Sequence, residues 1–326
     1  MAKINMVTSL NTALHDIMAS DDTVLVMGED VGLNGGVFRV TDGLYDKYGR
    51  KRVIDTPIAE SAILGTAIGM AMAGLKPVVE MQFSGFSYLM MHQLEGNASR
   101  MRTRSRGRFT VPLVVRMPYG GGVRALEHHS ESKEVYWAHT AGVKVVIPSS
   151  PANAGPLLTA AIQDPDPVVF MEPKRSYRSF KEEVNRDKYS FAIGKSQVIE
   201  TGKDITIISW GAMMRDTLKA VEDVKSQTGF QPEIIDLLTI SPMDVDTIVT
   251  SVKKTGRCVV VQEAQQSFGP ASEIIAVIND QALMYLEAPV KRVTMYDVVM
   301  PLFAREQFYL PQVSDISLAI TQTLDF

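Results

Sequence analysis

Glu60 stands at the head of the run ESAILGTAIGMAMAGL, whose other members are almost all Ala, Gly, Ile, Leu and Met. Pro57 lies just upstream, a residue favoured near helix starts, so the carboxylate falls in the first turn of a helix. An acid there has two readings. As a structural group it interacts with the helix dipole, worth ~0.3–1 kcal/mol. As a chemical group in a water-poor cleft it has a raised pKa and exchanges a proton with a bound heterocycle. Residue type and spacing leave both open.

Several other chemistries lack their motifs. Neither GxGxxG nor GxxxxGK[ST] follows a strand, which weakens dinucleotide and P-loop readings. No HExxH or paired Cys/His spacing offers a metal site, and GxSxG is missing. The one cysteine, Cys258, excludes an intrachain disulfide framework, and its neighbours RCVVVQEA read as a buried strand. Arg100, Arg102, Arg104, Arg106 and Arg108 form a basic patch, read as a solvated or subunit-facing helix end in preference to a nucleic-acid surface. A net charge of -4 points the same way.

The elements that must position Glu60 follow from length and periodicity. A chain of 326 residues with 45% hydrophobic and 21% charged residues suits two globular domains. The N-terminal MAKINMVTSLNTALHDIM has no signal-peptide apolar block, and no run of ~20 uncharged apolar residues occurs. A soluble cytoplasmic protein is expected. Leu10, Leu14, Ile17 and Met18 share one helical face, predicting a helix over residues 5–19. TVLVMG, RVID, KPVVEMQF, VPLVVRMP, VKVVIP and PVVFMEP read as strands, with helical segments near 43–48, along 88–105, around 131–139 and after Pro151. The loop PYGGGVRALEHHSES has three glycines in a row and belongs to neither a packed helix nor a central strand. Residues 174–204 are charged, have little periodicity, and read as a linker. Alternation then resumes through DITIISWG, PEIIDLLTI, CVVVQEA and VKRVTMYD, with helices between. The fold class is therefore α/β, with mostly parallel sheets.

Gly65, Gly69 and Ala73 lie four apart and share one helix face with almost no side-chain bulk. Another backbone can approach it closely, either inside the domain or from a second subunit.

Three longer stretches are similar to one known family. "MGEDVGLNGGVFRVTDGL", "RVIDTPIAESAILGTAIGMAMAGLKPVVEMQF" and "HHSES…AHTAGVKVVIPSSPANA…DPDPVVFMEPK" together resemble the beta subunit of the decarboxylating component of 2-oxo acid dehydrogenase complexes, which depend on thiamine diphosphate. The resemblance runs the length of the chain. It implies a pyrimidine-binding, doubly wound parallel sheet over 1–187, a linker at 188–199, and a transketolase C-terminal-like α/β domain over 200–326.

The resemblance also implies roles. Glu60, in the family's DTPIxE stretch, hydrogen-bonds the N1′ nitrogen of the cofactor's aminopyrimidine and thereby activates it. Phe86 stacks on the pyrimidine, while Gln82 and Ile58 line the same pocket. His129, before Ser in the "HS" pair, assists decarboxylation or acyl transfer to lipoyl. His128 departs from a Tyr of some relatives and receives no role, His139 is read as structural, and His15 and His92 as packing or surface residues. A potassium site through backbone carbonyls matches Leu113, Val114, Ala161, Asp164 and Asp166, though DPDP is also a plain rigid turn.

Relatives bind magnesium and the diphosphate through a GDG motif with a downstream Asn. This chain has only TDG at residues 41–43. The implied partner is a separate alpha subunit that holds the diphosphate and magnesium, in a heterotetramer of two alpha and two beta chains. A second copy of this chain and the dihydrolipoyl acyltransferase core with its lipoyl domain are further expected partners; nucleic acid and membrane are not. The expected reaction is oxidative decarboxylation of pyruvate or a branched-chain 2-oxo acid with reductive acylation of lipoyl. A split transketolase, an acetoin-dehydrogenase-type enzyme and a purely structural subunit are the alternatives.

Overall fold

Asn5 opens the first helix: its side chain accepts the Thr8 N–H at 2.9 Å, the role that makes Asn a favoured cap. Helix α1 (Met6–Ser20) then buries Leu10, Leu14, Ile17 and Met18, within a residue of the periodicity expectation. The computed structural model describes residues 3–184 and 191–326. The chain forms two units, Met1–Tyr119 with Tyr136–Ile193, and Gly120–Val135 with Gly194–Phe326.

In the first unit, strands β1 (Val24–Gly28), β2 (Val53–Asp55), β3 (Lys76–Glu80), β4 (Val114–Tyr119), β5 (Lys144–Val146) and β6 (Val168–Pro173) run in the order β5-β6-β4-β3-β1-β2. All five pairings are parallel. Their residues are near-continuous Val, Ile, Leu and Met, as strands buried on both faces require. Register aligns Gly28 with both Asp55 and Glu80, so the segments after β1, β2 and β3 leave from one sheet edge. That carboxyl edge is where open parallel sheets bind ligands.

Helix α2 (Glu60–Met72) connects β2 to β3. Its expected small face is open: a Cβ on Gly69 would meet nothing within 4 Å, and one on Gly65 would meet only Gln93 at 3.5 Å. The close helix approach of this unit lies elsewhere. Helix α3 (Pro151–Gln163) packs on α1, and a Cβ on Gly155 would stand 2.8 Å from Ser9 Oγ. Ser9 seals the contact by donating to Pro151 O at 2.6 Å and accepting the Gly155 N–H at 3.2 Å.

Residues 88–105 are not one helix, as their pattern predicts. They break into Ser84–Met90 and Ala98–Arg100 as 3-10 turns, with Met91–Gly96 and Met101–Arg104 as short helices. The cause is local: Gly96 is a poor helix former, and Asn97 leaves helical geometry at φ -124, ψ -67. The arginines that follow are partly engaged, with Arg102 Nε 2.7 Å from Asp166 and Arg100 3.5 Å from Glu95.

Within the stretch read as a linker, Glu182–Glu183 pairs antiparallel with Lys3–Ile4. The first three residues of the expected 188–199 connection lie outside the described residues. Strand β7 (Gln197–Glu200) then joins the second unit's sheet. Strands β8 (Ile205–Ser209), β9 (Pro232–Asp236), β10 (Cys258–Gln265) and β11 (Lys291–Met295) complete it in the order β11-β10-β8-β9-β7. Only β7 is antiparallel. Cys258 is buried in β10, and burial pushes its thiol up. The core is built by helices Met213–Thr228 and Val313–Leu324 against Ile205, Ile207, Val259 and Val261.

Candidate active site

The carboxyl edge of β3, β1 and β2 gathers the acids. Glu60 is the first residue of α2 and its backbone cap, Ala59, offers no side-chain bond. The residue is only 5% exposed. Among the described residues it makes no hydrogen bond or ion pair, so the helix N-terminus is its only evident stabiliser. Glu29 follows β1 directly and is 8% exposed. Burial raises its carboxyl above the usual range, and the charges of Glu60 and Asp30 add to that. Two buried acids thus face each other's field with no paired cation among the described residues. Glu29 was not singled out from sequence. Its position just beyond a buried strand at the ligand-binding edge is the signal that identifies it.

Beside Glu60 lies an open cleft of ≈ 650 Å³, lined by Ile58, Ala59, Leu89, Gln93 and the outer face of α2 from Ser61 to Thr66. Ile58 is 82% exposed and Leu89 63%. An apolar rim around a buried acid is an unfinished pocket wall.

The turn Ser84–Met90 packs on α2 and brings Phe86 to this edge. Phe86 meets Phe83 edge-on with centroids 5.8 Å apart, and Phe83 meets Phe38 at 5.6 Å. Gln82 donates to Asp30 Oδ2 at 3.0 Å, so its amide fixes the loop that carries Glu29. Beneath these residues Arg116 bridges two acids. Its Nη1 donates to Glu80 Oε2 at 2.7 Å, and Nε and Nη2 donate to the two oxygens of Glu172 at 2.7 and 2.9 Å. Tyr177 OH adds a 2.5 Å bond to Glu172.

His129 lies in a different unit. The chain leaves β4 at Tyr119 and spends residues 120–135 with the second unit. His128 and His129 form a 3-10 turn, Glu127–His129, their rings 4.3 Å apart. Near the end of the segment stands Glu134, 1% exposed, whose Oε1 accepts from Trp210 Nε1 at 3.2 Å while Oε2 has no hydrogen-bond partner among the described residues. Burial pushes the Glu134 carboxyl up to about 7; the Trp210 bond opposes this and the charge of Glu263 assists it. The folded chain therefore keeps a proton that the unfolded chain, near 4.5, has released. Stability is lost as pH rises from there towards about 7. Glu134→Gln removes that loss. Its stability gain over wild type is expected to grow from near zero at about pH 4.5 to ~3 kcal/mol at about pH 8. Urea midpoints across that range measure it, and a gap independent of pH counts against it.

The remaining histidines sit away from these groups: His15 contacts Asp42 O at 3.3 Å, and His92 and His139 are exposed. The carbonyl residues matched to potassium lie at the opposite, amino edge of the first sheet, where β4 and β6 start at Val114 and Val168 in register. Leu113 O accepts the Val168 N–H at 3.0 Å and Ala161 O the Asp164 N–H at 3.3 Å. Asp164 is held by Lys144 at 2.6 Å and Asp166 by Arg102 at 2.7 Å, so only carbonyls remain for an ion there. No group of three or more His, Cys, Asp or Glu is arranged to hold a metal among the described residues.

Known proteins resemble this chain in sequence and fold. Residues 2–179 match the transketolase pyrimidine binding domain and residues 194–316 the transketolase C-terminal domain. "Pyruvate dehydrogenase E1 component subunit beta" of Acholeplasma laidlawii is 52% identical over 320 residues, 98% of each chain. The protein of the same name from Bacillus subtilis is 47% identical over the full length of both. A solved structure titled "Split gene transketolase, inactive beta4 tetramer" superposes at a TM-score of 0.82 over 99% of each chain; at 20% identity it speaks for the fold. Full-length identity at this level, over both domains, means that the chain belongs to the family of pyruvate dehydrogenase E1 beta subunits.

Proposed function

We propose that this chain supplies the pyrimidine side of a thiamine diphosphate site which a separate alpha subunit completes, and that the assembly decarboxylates pyruvate and acylates lipoyl groups. The observation that carries this reading is Glu60: a residue 5% exposed, with no hydrogen-bond or ion-pair partner among the described residues, beside a cleft whose rim residue Ile58 is 82% exposed. A ring nitrogen satisfies that carboxylate, and a second polypeptide covers that rim. The cofactor, when bound, supplies the electron sink for loss of carbon dioxide. Glu60 holds the proton at the pyrimidine N1′. Phe86, backed by Phe83, orients the ring, and Gln82 and Ile58 bound its pocket. His129 acts at the reacting carbon or on the incoming lipoyl.

Magnesium is assigned to the alpha subunit, since this chain has TDG at residues 41–43 where relatives carry GDG. Potassium at Leu113, Val114, Ala161, Asp164 and Asp166 is part of the proposal, through main-chain oxygens. The open Gly65–Gly69 face suits a subunit contact, with the alpha chain or a second copy. The second unit is assigned to docking of the acyltransferase core. No described helix is long and apolar enough to cross a membrane. A cytoplasmic location is part of the proposal.

The test is reconstitution with a pyruvate dehydrogenase alpha subunit, with thiamine diphosphate and magnesium. Lipoyl acylation from pyruvate is expected only when both chains are present. Equal activity from the alpha chain alone, or ketol transfer between sugars in its place, overturns the reading.

A further inference from the structure

The segment that carries His129 is held by carboxylates from far along the chain. Gly120 and Gly122 have φ +85 and Arg124 φ +57. Left-handed residues alternating with right-handed ones turn successive N–H groups to one side and make an anion-binding concavity. Its occupants are side chains of the protein. Glu263 Oε1 accepts the Gly121 N–H at 2.6 Å and Ser132 Oγ at 3.2 Å. Glu306 accepts the Gly122 N–H on Oε1 at 2.7 Å and the Arg124 N–H on Oε2 at 2.9 Å.

Glu306 is 4% exposed, and no cation pairs with it among the described residues. Both its oxygens are thus committed to this one turn. The segment that presents Glu306 is itself anchored: Met295, Met300, Tyr309 and Leu310 form a small core, and Tyr309 OH donates to Val298 O at 2.7 Å. The fit is close, since a Cβ on Gly121 would stand 2.9 Å from Met300 and 3.1 Å from Glu306 Oε1.

We propose that Glu306 is a positioning residue for His129, fixing the Gly122–Arg124 turn from which the histidine turn departs. The inference rests on the role given to His129 above, so its test separates the two. Bonds from N–H groups to a buried carboxylate are stronger than neutral ones, and an amide in place of Glu306 retains only one accepting oxygen.

The experiment uses the complex with its alpha subunit, carrying Glu306→Gln, Glu306→Asp, His129→Ala, and Glu306→Gln with His129→Ala. Glu306→Gln is expected to lower kcat for lipoyl acylation about tenfold, the loss of one charge-assisted bond, with KM and thiamine diphosphate affinity unchanged. Glu306→Asp, which keeps both oxygens, restores part of the rate. Amide exchange at Gly122 and Arg124 accelerates in Glu306→Gln and stays unchanged in α3. In the His129→Ala background Glu306→Gln costs nothing further, because residues that act through one another are not additive. Independent losses in the double variant, or unchanged exchange at the turn, overturn the inference. If His129→Ala alone keeps wild-type turnover, the role of the histidine falls first and the positioning role with it, whatever the exchange shows.

Discussion

Glu60→Gln, assembled with the alpha subunit, is expected to lose about 10²–10⁴-fold in turnover, the range for removing a positioned acid–base group, while folding and assembling normally. Gln has the same shape and still fills the first turn of α2, so packing is preserved. What it lacks is a carboxylate able to hold a proton against a ring nitrogen. Stability is expected to hold or rise. The charge of Glu60 contributes to raising the Glu29 carboxyl, and a raised carboxyl weakens the fold as pH climbs above its unfolded value. Removing one of two like charges relieves that. The variant thus separates function from stability: kcat falls, affinity for pyruvate changes little, and the thermal midpoint at neutral pH does not drop. A variant with near wild-type turnover, or one that loses activity only because it unfolds, defeats the assignment of Glu60.

Much of this was legible in the chain. Runs such as TVLVMG and PVVFMEP read as strands, and Pro57 placed Glu60 in the first turn of a helix, which the structure starts at Glu60. The same pattern was silent on what covers the Gly65–Gly69 face, because a stripe of small residues has one appearance whether its neighbour is the same chain or another. The structure shows that face open. Residues 88–105 misled because their apolar spacing continues across Gly96 and Asn97, where backbone preference ends the helix. Glu29 stands just after TVLVMG, at the start of the Gly-containing run EDVGLNGG, with no periodicity to single it out. Glu306 had no signal at all: it meets its partners at Gly122 and Arg124 across more than half the chain, and a contact set by tertiary folding leaves no local periodicity.

The acids near Glu60 follow one logic. Glu60, to which the proposal gives a role, and its neighbour Glu29 have no paired cation among the described residues. Those that build the floor, Glu80 and Glu172, share Arg116. Glu80 closes β3 one strand from Gly28, and a Cβ on Gly36 would stand 3.2 Å from its Oε1. The floor therefore also shapes the loop that follows Glu29.

Arg116→Met is accordingly expected to destabilise the protein by ~3–5 kcal/mol at neutral pH, the cost of leaving a buried ion network without its cation. Arg116, Glu80 and Glu172 are 1%, 4% and 0% exposed, so water cannot replace the lost partner. Methionine fills most of the space, which leaves charge as the main loss. Burial already raises Glu80 even with Arg116 opposing it; without the arginine that opposition is gone and Glu80 is raised further. Raised carboxyls withhold stability only above their unfolded value near 4.5. The deficit of the variant is therefore smallest at about pH 4.5 and grows steadily towards about pH 8. Arg116→Lys keeps the charge but loses the two-pronged bond to Glu172, and falls between. Urea midpoints of the three proteins across this range measure the effect. A methionine variant within about 1 kcal/mol of wild type at pH 8, the scale of an exposed pair, or a deficit that does not change with pH, shows that the network is not held together by its charges.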